Sequence, residues 1–137
     1  MSDTVVVDAN IIVSALVASN RNILSKFTSD KNISIAAPKF VIVELFKHFE
    51  RIKKLSKLPE NELLKILSII VGKVKFYDEA SIALGSWVEA ARLCRGTDEK
   101  DVAYLALSIE LNAELWTNDK KLKIGLTKKG FNNFFKL

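Results

Sequence analysis

A single cysteine, Cys94, and a single histidine, His48, leave the 137-residue chain without the means for an internal disulfide or a Cys/His zinc framework. Any catalytic metal must therefore rest mainly on oxygen ligands. Proline (two) and glycine (five) are scarce, and 49% of residues are hydrophobic against 27% charged, which argues against disorder, collagen-like repeats and low-complexity linkers. No apolar run approaches the ~20 residues that a membrane-spanning helix needs. The N-terminus, with Asp3 and Asp8 around residues 5–7, lacks a basic, signal-like start. These absences imply a cytoplasmic chain with no membrane partner. The length suits one domain over residues 1–137, large enough to bury a core unaided.

The net charge of +5 is unevenly placed. From Thr117 onward Lys120, Lys121, Lys123, Lys128, Lys129 and Lys136 stand against Asp119 alone, and the remaining 15 basic and 15 acidic residues cancel. Most surface lysines only solvate a helix, but a basic segment also suits an anionic polymer such as RNA.

Residues 4–8 (TVVVD) form a β-branched run of the kind that makes a buried strand, and a helical pattern begins behind Asn10 with Ile11, Ile12, Ala15 and Leu16. Residues 21–28 read as a second helix and 33–36 (ISIA) as a second strand. Pro38 suits the first turn of a long amphipathic helix to about residue 57, with Ile42, Leu45, Phe46, Phe49 and Ile52 on its apolar face. Residues 59–72 form another helix, opened by Pro59 and closed by Gly72, and 74–77 a third strand. A helix over 81–93 ends at Gly96, and Thr97 reads as the N-cap of the next, over 98–111. A fourth strand at 114–117 (ELWT), a short helix at 119–126 and a fifth strand at 131–135 complete the chain. Short strands alternating with helices, without a repeat, predict an α/β fold: a three-layer α/β/α sandwich around a mostly parallel sheet.

In such sheets the functional groove lies beyond the carboxyl ends of the strands. Asp8 and Asp119 stand there, each directly after a buried apolar run. Glu44 interrupts the apolar stretch 40–46, where an unpartnered carboxylate would be costly, and Asp101 precedes the apolar run from Val102, with Asp98 one turn before it. Taken singly, Asp98 and Asp119 could merely serve helix N-termini. Brought together, these carboxylates cannot all stay ionised at neutral pH without a compensating cation. An all-oxygen ligand set suits Mg2+ or Mn2+, and the chemistry such an ion serves is phosphodiester hydrolysis. Asn10, two residues past Asp8, could orient a carboxylate or a water.

The order Asp8-Ala9-Asn10, Pro38 followed by Glu44 on a helix, Asp98-Glu99-Lys100-Asp101-Val102-Ala103 and Thr117-Asn118-Asp119 resembles the PIN-domain family of metal-dependent ribonucleases. The resemblance runs from about Thr4 to Phe135, and DVAYLALSIELNAELWTND is similar to the corresponding part of prokaryotic, especially archaeal, single-domain members. It implies a parallel five-stranded sheet, Mg2+ or Mn2+ on the acidic cluster, and endonucleolytic cutting of RNA. Many small members of that family are toxins of the VapC type, paired with an antitoxin and commonly dimeric, so the resemblance also implies a cognate antitoxin and a homodimer as expectations. Carried over, Asp8, Glu44, Asp101 and Asp119 are the four catalytic, metal-binding acids, Asp98 is an accessory ligand, and Asn10 and Thr117 are supporting groups. One departure is that Lys120 and Lys121 stand where members often carry a further acid, which bears on a second metal and offers the lysines to the RNA strand.

Lys47, His48 and Arg51, near Glu44 on the expected long helix, are further candidates for RNA contact. Trp87, Trp116 and the C-terminal phenylalanines are expected in the core or a subunit interface, and Cys94 as a packed small residue. Two other functional classes use the same features. One is an RNA- or partner-binding module with little turnover. The other is a phosphotransfer or phosphatase domain, disfavoured because a fourth carboxylate follows the fourth strand with Asp101 nearby.

Overall fold

A computed structural model describes residues 3–17, 21–29 and 32–136. Four strands, β1 (Asp3–Val7), β2 (Ile33–Pro38), β3 (Val74–Tyr77) and β4 (Glu114–Trp116), form a sheet in the order β3-β2-β1-β4, every pairing parallel. The chain thus builds outward from β1 to β3 and then returns to the opposite side of β1 with β4. That reversal places a topological switch point between the carboxyl ends of β1 and β4.

Among the described residues eight α-helices flank the sheet: α1 (Ala9–Val17), α2 (Arg21–Thr28), α3 (Phe40–Lys47), α4 (Phe49–Ser56), α5 (Glu60–Lys73), α6 (Leu84–Leu93), α7 (Asp101–Leu111) and α8 (Lys120–Lys128). They make the expected α/β/α sandwich. Val5, Val6 and Val7 have no exposed surface, as a central strand covered on both faces requires. Helix α7 packs on β1, β2 and β4 and is backed by α6, while α1 gathers α2 to α5 into a second group. Leu105 and Leu107 of α7 are fully buried. Among the described residues no helix is long and apolar enough to cross a membrane.

The structure departs from the sequence expectations at several places. Pro38 ends β2, paired with Tyr77, and does not open a helix; the helix starts at Phe40, whose amide donates to the Glu79 carboxylate at 2.8 Å. The expected long helix is two. At His48 (φ −104°, ψ 7°) the amide is shared between the carbonyls of Glu44 and Leu45, and α4 begins afresh at Phe49. Leu45 and Ile52 are buried, but Phe46 on the same expected stripe is 68% exposed. Gly72 lies within the last turn of α5 and caps nothing. A 3-10 turn over Glu79–Ser81 precedes α6, and Thr97 donates its hydroxyl back to the Cys94 carbonyl, so α7 begins at Asp101.

The sheet has four strands where five were expected. Residues 131–135 contribute one parallel bridge, Leu115 with Phe134, in which Leu115 donates to Asn133 and Phe135 to Leu115. With β4 only three residues long and the Asn133 side chain turned to the Ala113 carbonyl, there is no run of backbone for a longer ladder. Aromatic packing holds the segment instead. Trp116, 2% exposed, has its ring 5.7 Å from Phe27 and 4.9 Å from Phe135, joining α2, β4 and the C-terminal segment.

Trp116→Ala should therefore cost about 3–5 kcal/mol in urea unfolding, and Trp116→Phe much less. A loss below about 1 kcal/mol for the alanine variant would show that this aromatic group does not anchor the C-terminal segment.

Candidate active site

Asp8 directly follows β1 and is only 7% exposed, its amide bonded to the Trp116 carbonyl of the neighbouring strand. Its Oδ1 accepts from the Ile11 amide at 3.1 Å, capping α1, and the Thr117 hydroxyl hydrogen-bonds the same carboxylate. Burial pushes the Asp8 pKa up to about 6 against those two bonds, with Glu44 and Asp119 adding repulsion. Thr117, 1% exposed, also accepts from the Asp119 amide at 3.1 Å, so one hydroxyl ties the ends of β1 and β4 together. Asp119 in turn caps α8 by accepting from Leu122 at 3.1 Å.

Glu44 reaches the same region from α3 and is also 7% exposed. Its Oε1 accepts a short hydrogen bond from the Tyr104 hydroxyl, and its Oε2 lies 4.0 Å from Lys100 Nζ. Burial and this bond push the Tyr104 pKa far up, so the tyrosine stays protonated and serves as a fixed donor. Asp101, half-buried at the start of α7, is pushed up to about 6 by burial and then by Asp119, Asp98 and Asp8, with Lys100 opposing. Asp98 stands at the rim: its side chain is 61% exposed, accepts from the Lys100 amide at 3.2 Å and lies 3.7 Å from Lys100 Nζ.

The acids open onto two adjoining clefts. Asp8, Asn10, Glu44, Lys100, Asp101 and Tyr104 line one; Thr97, Asp98, Asp101, Asp119 and Lys121 line the other. Asp101 is common to both. Among the described residues no three acidic, histidine or cysteine side chains close on one point. The carboxylates of Asp8, Glu44 and Asp119 are each already held by a protein donor, which fixes them along the edges of the clefts.

A groove of about 710 Å³ continues from the first cleft, sharing Glu44 and Lys100 with it, and is lined by Lys47, His48, Trp87 and Phe40 among others. Of the residues expected to touch RNA, Lys47 and His48 face this groove, Lys121 lines the second cleft, Lys120 is exposed on the first turn of α8, and Arg51 is exposed on α4 outside the groove. Part of the C-terminal basic excess has structural work: Lys129 donates to the carbonyls of Leu93 and Arg95 beyond the end of α6, and Lys123 lies over the Phe134 ring. Cys94 is buried, and burial pushes its thiol pKa up.

Sequence reasoning did not single out Tyr104 or Lys100. A signal existed for each. Tyr104 is the one hydroxyl-bearing aromatic in the apolar run after Asp101, and a buried tyrosine hydroxyl needs a partner. Lys100 is the one basic residue inside the acidic motif Asp98-Glu99-Lys100-Asp101.

A model of the PIN-domain family matches residues 6–134. No curated protein shows significant similarity to the chain. Among solved structures, VapBC2 from Rickettsia felis, in a complex bound to a DNA fragment from their promoter, matches with a TM-score of 0.64 at 20% identity, covering 97% of each chain. At that identity the likeness is one of fold.

The raised carboxylates fix the sign of a pH dependence. The unfolded chain releases the Asp8 and Asp101 protons near pH 3.8 but the folded chain holds them to about pH 6, so metal-free stability falls as pH rises through that window. Asp8→Asn keeps an acceptor for Ile11 and Thr117 and removes the charge. In EDTA at pH 7 it should be more stable than the parent by on the order of 2–3 kcal/mol, the gap largely closing near pH 4. Equal stability at pH 7 would contradict a buried Asp8 charge.

Proposed function

Starting from a chain that belongs to the PIN-domain family, we propose that it is a divalent-metal-dependent endoribonuclease that hydrolyses RNA phosphodiester bonds. The observation that carries this reading is the convergence of Asp8, Glu44, Asp101 and Asp119, from four separate segments, close enough for their charges to act on one another. Asp119 caps α8, a role that an uncharged acceptor would also fill, and Asp8 is buried where a charge is costly.

The donor set fits Mg2+ or Mn2+. It consists of carboxylate oxygens with neutral hydroxyl and amide support, and its open clefts suit an ion that keeps part of its water shell. Asp8, Glu44, Asp101 and Asp119 would hold the ion, with Asp98 as an accessory at the rim. When bound, such an ion supplies Lewis-acid stabilisation of the charge that builds on the phosphate oxygens. The chain's own groups do the positioning. The Ile11 and Leu122 amides anchor one oxygen each of Asp8 and Asp119, and Tyr104 anchors Oε1 of Glu44, so these carboxylates are held in place for an ion to approach. Thr117 sets the spacing of Asp8 and Asp119, and Asn10 orients groups at the mouth of the first cleft. Lys47 and His48 in the groove, Lys121 beside Asp119, and Lys120 and Arg51 on the exposed surface attract the RNA backbone.

The shared fold with VapBC2 from Rickettsia felis supports, as a secondary part of the proposal, a VapC-type toxin paired with a cognate antitoxin; a single cytoplasmic domain over 1–137 and a homodimer belong to the same proposal. One observation favours a second reading, a catalytically weak RNA- or partner-binding module, namely that no three carboxylates close on a single point among the described residues.

Incubation of the purified protein with a labelled RNA in Mg2+, Mn2+ or EDTA separates the two. The nuclease reading expects metal-dependent cutting that Asp8→Asn and Asp119→Asn each reduce by about 100-fold or more, consistent with loss of charge stabilisation at the reacting phosphate. Equal cutting by parent and variants would remove the activity from this chain, and metal-independent binding without cutting would favour the module.

A further inference from the structure

Glu44 has two partners of different kinds. The Tyr104 hydroxyl is neutral, while Lys100, at 4.0 Å from Oε2, brings a positive charge. Among the described residues Lys100 is the one cation within ion-pair distance of Asp8, Glu44, Asp101 or Asp119. A buried carboxylate needs a compensating charge or a proton, and here the compensation comes from a side chain that is 44% exposed. The ammonium is therefore well placed to balance Glu44 and free enough to leave it.

The position of Lys100 adds a second observation. Its side chain lines both the cleft of Asp8, Glu44 and Asp101 and the larger groove that holds Lys47 and His48. Lys100 is the N-cap residue of α7, its side chain makes no cap hydrogen bond, and its flexible four-carbon stem can carry the ammonium from one toward the other. A divalent ion on Glu44 Oε2 and an ammonium on the same oxygen would repel each other across a short, poorly solvated distance.

We propose that Lys100 is a tethered counter-cation of the acid site: it neutralises Glu44 and Asp98 while no divalent ion is bound, and it must withdraw into the groove for one to bind. The proposal rests on the reading of the acids as a metal site. Lys100 is thus a positioning residue that weakens the intrinsic metal affinity, because each binding event includes the loss of an ion pair already made.

The test is a calorimetric titration of Mn2+ into the full chain without RNA, comparing the parent with Lys100→Met, Lys100→Gln and Lys100→Arg. Both neutral variants should bind Mn2+ about three- to tenfold more tightly, and the arginine variant should stay near the parent. In EDTA the neutral variants should melt lower than the parent, and Mn2+ should raise their Tm by more. A purely structural lysine would weaken metal binding when replaced. Unchanged or weaker Mn2+ affinity in both neutral variants, with circular dichroism showing them folded, overturns the proposal while leaving the metal site intact. Absence of saturable Mn2+ binding in the parent as well overturns the metal-site reading itself and this inference with it.

Discussion

Burial of carboxylates at the carboxyl ends of β1 and β4, with the repulsion between them added to it, is the constraint around which the rest of the molecule is arranged. A sheet that grows from β1 through β2 to β3 and then returns with β4 leaves a crevice between the first and last strands, and the chain enters that crevice with Asp8 on one side and Thr117 and Asp119 on the other. Helices α3 and α7 add Glu44 and Asp101. Each carboxylate would be harmless alone on the surface. Partly cut off from water and under one another's field, Asp8 and Asp101 hold their protons to about pH 6, so at neutral pH the site stores unfavourable charge that a bound cation would relieve.

The same side chains also hold the backbone. Asp8 caps α1, Asp119 caps α8 and Thr117 links the two, so the fold's own capping needs position the candidate ligands. This double use separates asparagine from alanine substitutions at Asp8 and Asp119 in what each would remove. Asparagine keeps the acceptor and removes the charge, whereas alanine removes both and exposes the helix N-terminus to loss of its cap. Tyr104 plays the corresponding part for Glu44, supplying a donor from the buried face of α7 that a phenylalanine could not.

Much of this was legible because it follows from local pattern. The β-branched run before Asp8, the apolar run before Asp119 and the acid inside 40–46 each set a carboxylate against a buried neighbour, and no tertiary information is needed to see that such acids want company. The alternation of strand and helix likewise shows the layered parallel architecture. What was hidden depends on contacts remote in sequence. The break at His48 is invisible to a period of three and four, because apolar residues recur in step on both sides of it, and only packing leaves Phe46 in water. The fifth strand failed for a similar reason: residues 131–135 have strand-like composition, yet β4 is too short to pair with them beyond one bridge. Thr97 looked like an N-cap because a threonine before acids usually is one, but its hydroxyl satisfies the carbonyl left open at the end of α6. The roles of Tyr104 and Lys100 needed Glu44 in place before either had a meaning.

The central claim is that the four carboxylates share a divalent ion, and anomalous diffraction from crystals soaked in Mn2+ addresses it most directly. The account predicts a peak in the crevice between β1 and β4, about 2.0–2.6 Å from oxygens of Asp8 and of at least two among Glu44, Asp101 and Asp119. Saturating Mn2+ with no peak there, or with the ion held only by residues outside the two clefts, would contradict it.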